Sequence, residues 1–181
     1  MKAIVFLADG FEECEALVVV DVLRRAEIET IMVSVSGRLE VDSSRHIIVK
    51  ADAMAADVDY SSVDLIVLPG GRIGTEKLKQ NDFVLEKCRE FAGKKYIAAI
   101  CAAPSILASL KILKDKKVTC HPDYEDQMTD AIITHESVAT DENIITGQGL
   151  GASFDFAFEI IRELIGEEKV SQIKSAICYK K

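Results

Sequence analysis

Short apolar runs recur along the chain and constrain its fold more than any other feature. Three of them are Lys2–Ala8, Leu65–Leu68 and Tyr96–Ile100, which are four to seven residues long. A strand with one face in water alternates apolar and polar residues, whereas a strand buried on both faces is apolar nearly throughout. The runs therefore predict strands of a parallel sheet that helices cover on both sides.

Between these runs, apolar residues recur at helical spacing. Ala16, Val19, Val20 and Leu23 stand at i, i+3, i+4 and i+7, which predicts a helix with one apolar stripe. With Thr30–Val35 as the next strand, the first 36 residues form a β-α-β unit. The alternation continues without a linker or an internal repeat. We therefore expect one α/β domain over residues 1–181, built around a mostly parallel sheet.

The remaining elements are predicted from the same two patterns. Further strands are expected at Leu39–Val41 and His46–Lys50, as a short hairpin, and at Val118–Cys120, Ser137–Thr140 and Asn143–Thr146. Further helices are expected at Asn81–Ala92, from Pro104 onward, along the stripe from Phe154 to Ile165, and at Glu167–Ala176.

The charge balance excludes several classes of partner. A formal net charge of −8, from 22 basic and 30 acidic residues, argues against nonspecific binding to nucleic acids or anionic membranes. No apolar run approaches the ~20 residues of a membrane span. Asp9-Gly10 and the acidic Glu12-Glu13 interrupt the apolar N-terminus, which argues against a signal peptide. We expect a cytoplasmic protein without a nucleic-acid or membrane partner.

The cysteine pattern indicates free thiols. The five cysteines are odd in number and widely spaced, without a CxxC pair, which argues against a disulfide framework and a zinc site. No metal-binding motif is present, and Gly147–Gly151 is only a weak match to a phosphate-binding loop because it precedes the last helix. We expect neither a cofactor nor a metal.

Cys101 is the sharpest candidate for chemistry. It ends a buried strand and opens a helix, within small residues that permit a tight turn. Ligands of open α/β sheets bind at the carboxyl ends of the strands, and a helix N-terminus lowers the pKa of a thiol. These arguments favour a nucleophile with a lowered pKa. The alternative is a buried structural cysteine, which is what most free cysteines are.

Other candidates follow strands that end at the same edge of the sheet. Glu12, Glu13 and Glu15 come after the first strand, and a buried carboxyl among them would have a raised pKa and could transfer protons. The alternative is that they only complement the helix dipole, and spacing does not choose among them. Gly70-Gly71 could present N–H groups to an oxyanion or form an ordinary turn. His121 could orient the thiol or be a hydrogen-bonded loop residue.

Taken together, these segments resemble the DJ-1/ThiJ/PfpI superfamily, which shares the fold of class I glutamine amidotransferases. The resemblance runs in order through KAIVFLADGFEECEAL, DLIVLPGG, IAAICAAP, CHPDYED and ITGQGLGASFDFAFEII, and covers nearly the whole chain. The length and the final segment Glu167–Ala176 resemble the DJ-1-like branch more than the peptidase branch.

The resemblance implies a flavodoxin-like three-layer α/β/α sandwich, a strand-Cys-helix nucleophile elbow and a homodimer. It implies a reactive Cys101 that is hydrogen-bonded to a frequently protonated Glu15, with His121 nearby. The backbone N–H groups of Gly70, Gly71 and Ala102 are then expected to form an oxyanion pocket. PfpI-type peptidases carry a histidine directly after the cysteine, where this chain has Ala102, so that proteolysis is disfavoured.

Three classes of function are compatible with these residues. The first is a cofactor-free, glyoxalase III-type enzyme that hydrates α-oxoaldehydes such as methylglyoxal, with an apparent deglycase activity. The second is a redox sensor, oxidative-stress protein or chaperone that uses an oxidisable Cys101. The third, less favoured, is a cysteine peptidase or amidase. A role in thiamine biosynthesis also attaches to the family name, but no phosphate site supports it.

Overall fold

The computed structural model describes residues 1–180, and its elements follow the predicted alternation. Within that range the strands are β1 (Lys2–Leu7), β2 (Glu29–Ser34), β3 (Glu40–Asp42), β4 (Ile48–Lys50), β5 (Ala53–Met54), β6 (Leu65–Leu68), β7 (Tyr96–Ile100), β8 (Lys117–Val118), β9 (Ile132–Ile133), β10 (Val138–Asp141) and β11 (Ile144–Gly147). The helices are α1 (Glu13–Arg25), α2 (Arg72–Lys79), α3 (Asp82–Phe91), α4 (Pro104–Ser109), α5 (Ser153–Ile165) and α6 (Glu167–Ala176), with 3-10 turns at Ala55–Asp57, Pro122–Gln127 and Leu150–Ala152.

A seven-stranded sheet in the order β10-β11-β7-β6-β1-β2-β5 forms the middle layer. Its strands are parallel except β10, which runs antiparallel to β11. Helices α1, α5 and α6 cover one face, and α2, α3 and α4 cover the other. The predicted three-layer α/β/α sandwich is confirmed. No helix within residues 1–180 combines the length and the apolar character needed to cross a membrane.

The continuous apolar runs are the central strands of this sheet, as predicted. In β6 every residue is fully buried, and in β7 the same holds from Ile97 onward. These side chains pack into helices above and below, so that neither face tolerates a polar position. The predicted hairpin is also confirmed, because β3 and β4 pair antiparallel with Val41 opposite Val49.

Four elements differ from the prediction: the short strands β5 and β9 were not predicted, and neither was helix α2, while β8 is shorter than expected. Helix α2 had no signal in the apolar pattern, because its buried residues are Gly74, Thr75 and Leu78, of which only one is a large apolar side chain. A small residue is needed there, since a Cβ on Gly74 would lie 2.6 Å from Phe11 Cα. The strand predicted at Val118–Cys120 ends at Val118, where its pairing with β9 stops.

Asp9 anchors the loop between β1 and α1. Its Oδ1 accepts hydrogen bonds from the Arg38 guanidinium at 2.9 Å and the Asp42 N–H at 3.0 Å, and Lys77 Nζ lies 3.7 Å from Oδ2. Burial alone would raise the pKa of Asp9, but these groups outweigh it and hold the pKa below its ordinary value. The loop is thereby tied to Arg38 and to the β3–β4 hairpin.

We expect Asp9→Asn to destabilise the protein by about 1 kcal/mol at pH 7, because the ion pairs and one acceptor are weakened. A carboxyl with a depressed folded pKa stabilises the fold above its unfolded pKa of 3.8 and ceases to do so as the pH falls through the folded value. The difference between variant and wild type should therefore vanish on acidification.

Urea unfolding followed by circular dichroism at a series of pH values measures this difference. Asp21→Asn is the matched control, because Asp21 forms only an exposed i,i+4 pair with Arg25 and should change stability little. A penalty for Asp9→Asn that does not depend on pH would contradict the electrostatic explanation.

Candidate active site

Three adjacent strands deliver the candidate residues to one edge of the sheet. Strands β1, β6 and β7 are parallel neighbours, so that their carboxyl ends lie side by side. The segment after β1 carries Glu15, the loop after β6 carries Gly70 and Gly71, and Cys101 directly follows β7. Residues that are 30 to 86 positions apart in the chain thus meet at one place, as the sequence predicts for a parallel sheet.

Cys101 occupies a left-handed backbone conformation with φ of +64°. Such a conformation costs a side-chain-bearing residue about 1–3 kcal/mol and persists only where its surroundings impose it. Here the Cys101 N–H donates to Gly147 O at 2.9 Å, and its carbonyl accepts from the His121 N–H at 2.9 Å. The strained turn is therefore held by β11 on one side and by the loop after β8 on the other.

Glu15 lies directly beside this turn although its side chain belongs to α1. The residue is only 1% exposed, and its Oε2 accepts a hydrogen bond from the Gly70 N–H at 2.9 Å. A Cβ on Gly70 would lie 2.5 Å from Glu15 Oε2 and 2.7 Å from Cys101 Cβ, so that only glycine fits between the carboxyl and the cysteine. The other carboxyl oxygen, Oε1, is buried without a hydrogen-bond partner among residues 1–180.

The surroundings of Glu15 raise its pKa to about 7. Burial is the largest cause, and the negative charge of Glu12 adds to it, while contacts with the Cys101 thiol and the Gly70 N–H oppose it. The thiol lies close enough to the carboxyl for the two ionisations to be coupled. At neutral pH this carboxyl exists in both protonation states, which suits a group that accepts and returns a proton.

The thiol departs from the sequence prediction. Burial and the adjacent Glu15 carboxylate raise the pKa of Cys101 to about 12, although the Gly71 and Ala102 N–H groups oppose the rise. The prediction of a lowered pKa was therefore wrong for the state in which Glu15 is ionised. The helix dipole does not compensate, because α4 has only six residues and begins three positions after the cysteine. The two groups titrate as a coupled pair.

The backbone donors divide into two kinds. The N–H groups of Gly71 and Ala102 face the Cys101 sulfur and make no other hydrogen bond within residues 1–180. The Gly70 N–H is already bound to Glu15, so that the expectation that it serves an oxyanion is corrected. A negatively charged oxygen that forms next to the sulfur would therefore meet Gly71 and Ala102.

His121 shares the cleft but does not contact the thiol through a hydrogen bond. Its side chain is 43% exposed, and Nδ1 accepts from the Asp123 N–H at 3.3 Å, which caps the 3-10 turn Pro122–Gln127. That acceptor role assigns the proton of the neutral ring to Nε2. His121 is therefore a hydrogen-bonded loop residue. Its Nδ1 accepts from the Asp123 N–H, and its backbone N–H donates to the carbonyl of Cys101.

The cleft at Cys101 has two lobes of about 540 and 550 Å³. Cys101 and His121 line both of them, and Arg72 and Tyr124, which sequence analysis did not single out, line the first. Arg72 directly follows the glycine pair, and Tyr124 lies within the segment CHPDYED. Their closeness in sequence to predicted site residues could have indicated that they line the cleft. Residues 1–180 contain no cluster of three or more His, Cys, Asp or Glu side chains suited to a metal ion.

The remaining glutamates and cysteines are placed differently, although Glu12 also lines the second lobe of the cleft. Glu12 caps α1 by accepting from the Glu15 N–H at 2.9 Å, and Glu13 accepts from the Ser44 hydroxyl at 3.0 Å. Cys88 and Cys120 are buried, whereas Cys14 and Cys178 are exposed outside the cleft. Of the three glutamates that spacing left open, the structure thus brings only Glu15 to Cys101.

Residues 1–163 of the chain match the sequence profile of the DJ-1/PfpI family. The chain belongs to the DJ-1/PfpI family. This DJ-1/PfpI protein is 36% identical over 184 residues to the Parkinson disease protein 7 homolog of Danio rerio, covering 99% of this chain and 97% of the relative.

Two further relatives of this DJ-1/PfpI protein are informative. The glutathione-independent glyoxalase DJR-1.2 of Caenorhabditis elegans is 30% identical over 173 residues, covering 94% of this chain and 91% of the relative. The crystal structure of Drosophila melanogaster DJ-1beta has a TM-score of 0.94 at 34% identity, covering 99% of this chain and 98% of that one. The resemblance to the DJ-1-like branch is thereby confirmed.

We expect the rate at which iodoacetamide alkylates Cys101 to show an inflection near pH 7, where the coupled pair loses its first proton. Glu15→Gln keeps an oxygen that accepts from the Gly70 N–H but has no proton to lose, so that its profile should lack this inflection. The rate is measured by mass spectrometry of the Cys101 peptide.

Glu13→Gln is the matched control in this DJ-1/PfpI protein. It removes a neighbouring carboxyl that is bound to Ser44 rather than placed beside the thiol, and it should keep the inflection. An inflection near pH 7 in the Glu15→Gln protein would mean that another group titrates there.

Proposed function

We propose that this protein is a cofactor-free enzyme that converts α-oxoaldehydes into α-hydroxy acids, as in the hydration of methylglyoxal to lactate without glutathione. The observation that carries the proposal is the placement of the Glu15 carboxyl beside Cys101, in a space that only a glycine at position 70 leaves open. The pKa of this carboxyl is about 7, which suits proton transfer at neutral pH. The name of the related glyoxalase DJR-1.2 supports the same chemistry.

The first step in the proposal is attack of Cys101 on the aldehyde. The thiol proton passes to the Glu15 carboxylate while Sγ bonds to the aldehyde carbon, so that no free thiolate has to accumulate despite the high pKa of the thiol. The carbonyl electron pair moves to the oxygen, and the N–H groups of Gly71 and Ala102 stabilise that oxyanion. Protonation then gives a hemithioacetal.

The second step moves a hydrogen between the two substrate carbons. Glu15, ionised again, removes the proton from the former aldehyde carbon to give an enediol and returns a proton to the former ketone carbon. The first carbon is oxidised to a thioester while the second is reduced to an alcohol, so that no external oxidant is needed. Water hydrolyses the thioester, which releases lactate and the Cys101 thiol. The net reaction consumes one methylglyoxal and one water.

The same chemistry would produce an apparent deglycase activity. Early adducts of α-oxoaldehydes with amines form reversibly, and consumption of the free aldehyde pulls them apart without direct attack on the modified protein.

In the proposal the protein works in the cytoplasm, where its five free cysteines would stay reduced.

Redox sensing is the second candidate, and one observation favours it. The unpartnered Oε1 of Glu15, when protonated, could donate to an oxygen on an oxidised Cys101, and the Gly71 and Ala102 N–H groups could bind such oxygens too. Peptide hydrolysis has no comparable support, because Ala102 follows the cysteine and the Nδ1 of His121 is engaged by Asp123.

We expect wild-type protein to produce lactate from methylglyoxal without glutathione, and Cys101→Ser and Glu15→Gln each to lower kcat/KM at least about 100-fold. Cys14→Ser is the control, because that exposed thiol lies outside the cleft. Lactate is measured by coupled assay. An inactive wild type in which peroxide adds oxygen selectively to Cys101, seen by mass spectrometry, would overturn the enzyme proposal in favour of redox sensing.

The proposal includes a homodimer. Large apolar side chains are exposed on the β3–β4 hairpin, at Ile47 and Ile48, and around the start of α5, at Leu150 and Phe154, with exposed fractions of 50%, 70%, 53% and 40%. Arg45, from the turn of the β3–β4 hairpin, and Leu150 line the same lobe, so that the hairpin and the start of α5 approach each other there. A second copy of the chain seated on this surface would remove the apolar side chains from water.

We expect sedimentation at micromolar concentration to show a dimer that Ile48→Glu converts to a monomer, because a buried unpaired charge opposes association. Ile132→Glu is the control, since that side chain is 54% exposed but lies on β9, outside the proposed surface. A monomeric wild type would contradict the dimer.

A further inference from the structure

The first lobe of the cleft extends from Cys101 to the guanidinium of Arg72, which forms no ion pair within residues 1–180. Besides Cys101, Ala102 and His121, this lobe of about 540 Å³ is lined by Arg72, Glu76, Asp123, Tyr124 and Gln127. Arg72 is exposed and makes no hydrogen bond or ion pair within residues 1–180. Arg24, Arg25, Arg38 and Arg162 each pair with a carboxylate. Arg45 and Arg89 also lack an ion pair within residues 1–180, but Arg45 lines the second lobe and Arg89 lines neither. The guanidinium of Arg72 is therefore available to a ligand.

Arg72 is also placed next to the reacting atoms by the chain itself. It is the first residue of α2 and directly follows Gly71, whose N–H faces the Cys101 sulfur. A short molecule whose carbonyl carbon contacts the sulfur would extend into this lobe toward the guanidinium.

Neutral donors surround the same path. Burial, Cys101 and Glu76 raise the pKa of Tyr124, while Arg72 opposes the rise, which indicates that the hydroxyl lies within the field of both the thiol and the guanidinium. The raised pKa keeps the hydroxyl protonated at neutral pH, so that it can donate a hydrogen bond. Gln127 accepts from Lys79 Nζ at 3.2 Å through Oε1, which leaves its amide N–H groups as donors.

We propose that this lobe is a carboxylate-binding subsite in which Arg72 selects α-oxoaldehydes that carry a carboxylate at the far end of a short chain. The assignment deepens the function proposed above and rests on it. A guanidinium binds a carboxylate through two parallel hydrogen bonds, which gives both charge neutralisation and a defined orientation.

The neighbouring acids limit what the subsite accepts. Glu76 lies one helical turn beyond Arg72, and Asp123 Oδ2 lies 3.7 Å from His121 Nδ1. Because two carboxylates line the same lobe as the single arginine, a dianionic phosphate would be repelled more strongly than a monoanion. A monoanionic carboxylate that binds the guanidinium fork is the better match.

The reaction of such a substrate balances as it does for methylglyoxal. In 4,5-dioxovalerate, Cys101 would attack the aldehyde carbon, and the hydrogen shift would oxidise that carbon and reduce the adjacent ketone. Hydrolysis of the thioester by one water would release 2-hydroxyglutarate. The carboxylate held by Arg72 takes no part in bond making, so that Arg72 is a specificity-determining residue.

The decisive experiment compares 4,5-dioxovalerate with its neutral methyl ester on wild type, Arg72→Gln, Arg72→Lys and Arg89→Gln. We expect wild type to prefer the acid over the ester about tenfold in kcat/KM, and Arg72→Gln to lose that preference. Arg72→Lys should retain part of it, since lysine keeps the charge but not the fork. Arg89→Gln removes an exposed arginine of α3 that lines neither lobe and should keep the full preference.

A second readout does not depend on turnover. Levulinate has the chain and the carboxylate of the substrate but no aldehyde, and it should slow alkylation of Cys101 by iodoacetamide in wild type but not in Arg72→Gln. If wild type turns over neither methylglyoxal nor the acid, the proposed function fails while levulinate protection still tests the subsite. Equal turnover of acid and ester by wild type, or equal protection of both proteins by levulinate, would overturn the subsite.

Discussion

The hydrogen bond between the Gly70 N–H and Glu15 Oε2 is the contact on which the arrangement of the cleft depends. It joins the first turn of α1 to the loop after β6, and it holds a carboxyl at a depth where only 1% of the residue is exposed. Burying a carboxyl without a partner is costly, so that this single donor stabilises its position while leaving the second oxygen unsatisfied. The raised pKa of Glu15 is the electrostatic consequence of that burial.

The position of Cys101 depends on the same glycine, because a side chain at Gly70 would collide with the Cβ of Cys101. The carboxyl reaches the cysteine only because Gly70 has no side chain between them. The left-handed turn at Cys101 is then maintained by hydrogen bonds to Gly147 and His121, which belong to two other parts of the chain. Strain at the reactive residue is thus offset by the surrounding fold, a distribution that recurs at functional sites.

The electrostatics of the cleft are set by proximity rather than by the helix dipole. A carboxylate and a thiol that share an environment compete for one proton, so that ionisation of one raises the pKa of the other. A nucleophile in such a pair is activated when its neighbour takes the proton during attack. Arg72, which has no ion-pair partner within residues 1–180, lines only the first lobe, and in our proposal it makes that lobe the side that binds a carboxylate.

The amino-acid sequence by itself determined the layered architecture and the edge of the sheet on which the site lies. Strands that are apolar at nearly every position, such as Leu65–Leu68, can only be satisfied between two layers of helices, and this is a local property of the pattern. The pattern did not reveal α2, because that helix buries mainly small residues against the loop after β1.

Only the tertiary structure decided which of the clustered residues act together. The sequence spacing of Glu12, Glu13 and Glu15 does not show which of them faces Cys101. The rotation of α1 against the sheet brings the carboxyl of Glu15 to the thiol, whereas Glu12 caps α1 and Glu13 accepts from Ser44. Likewise Gly70 and Gly71 are adjacent in sequence, but one N–H is bound by Glu15 and the other faces the sulfur. Hydrogen-bond partners, burial and the resulting pKa shifts are properties of three-dimensional neighbours, and neighbours from β1, β6 and β7 meet only after the sheet has formed.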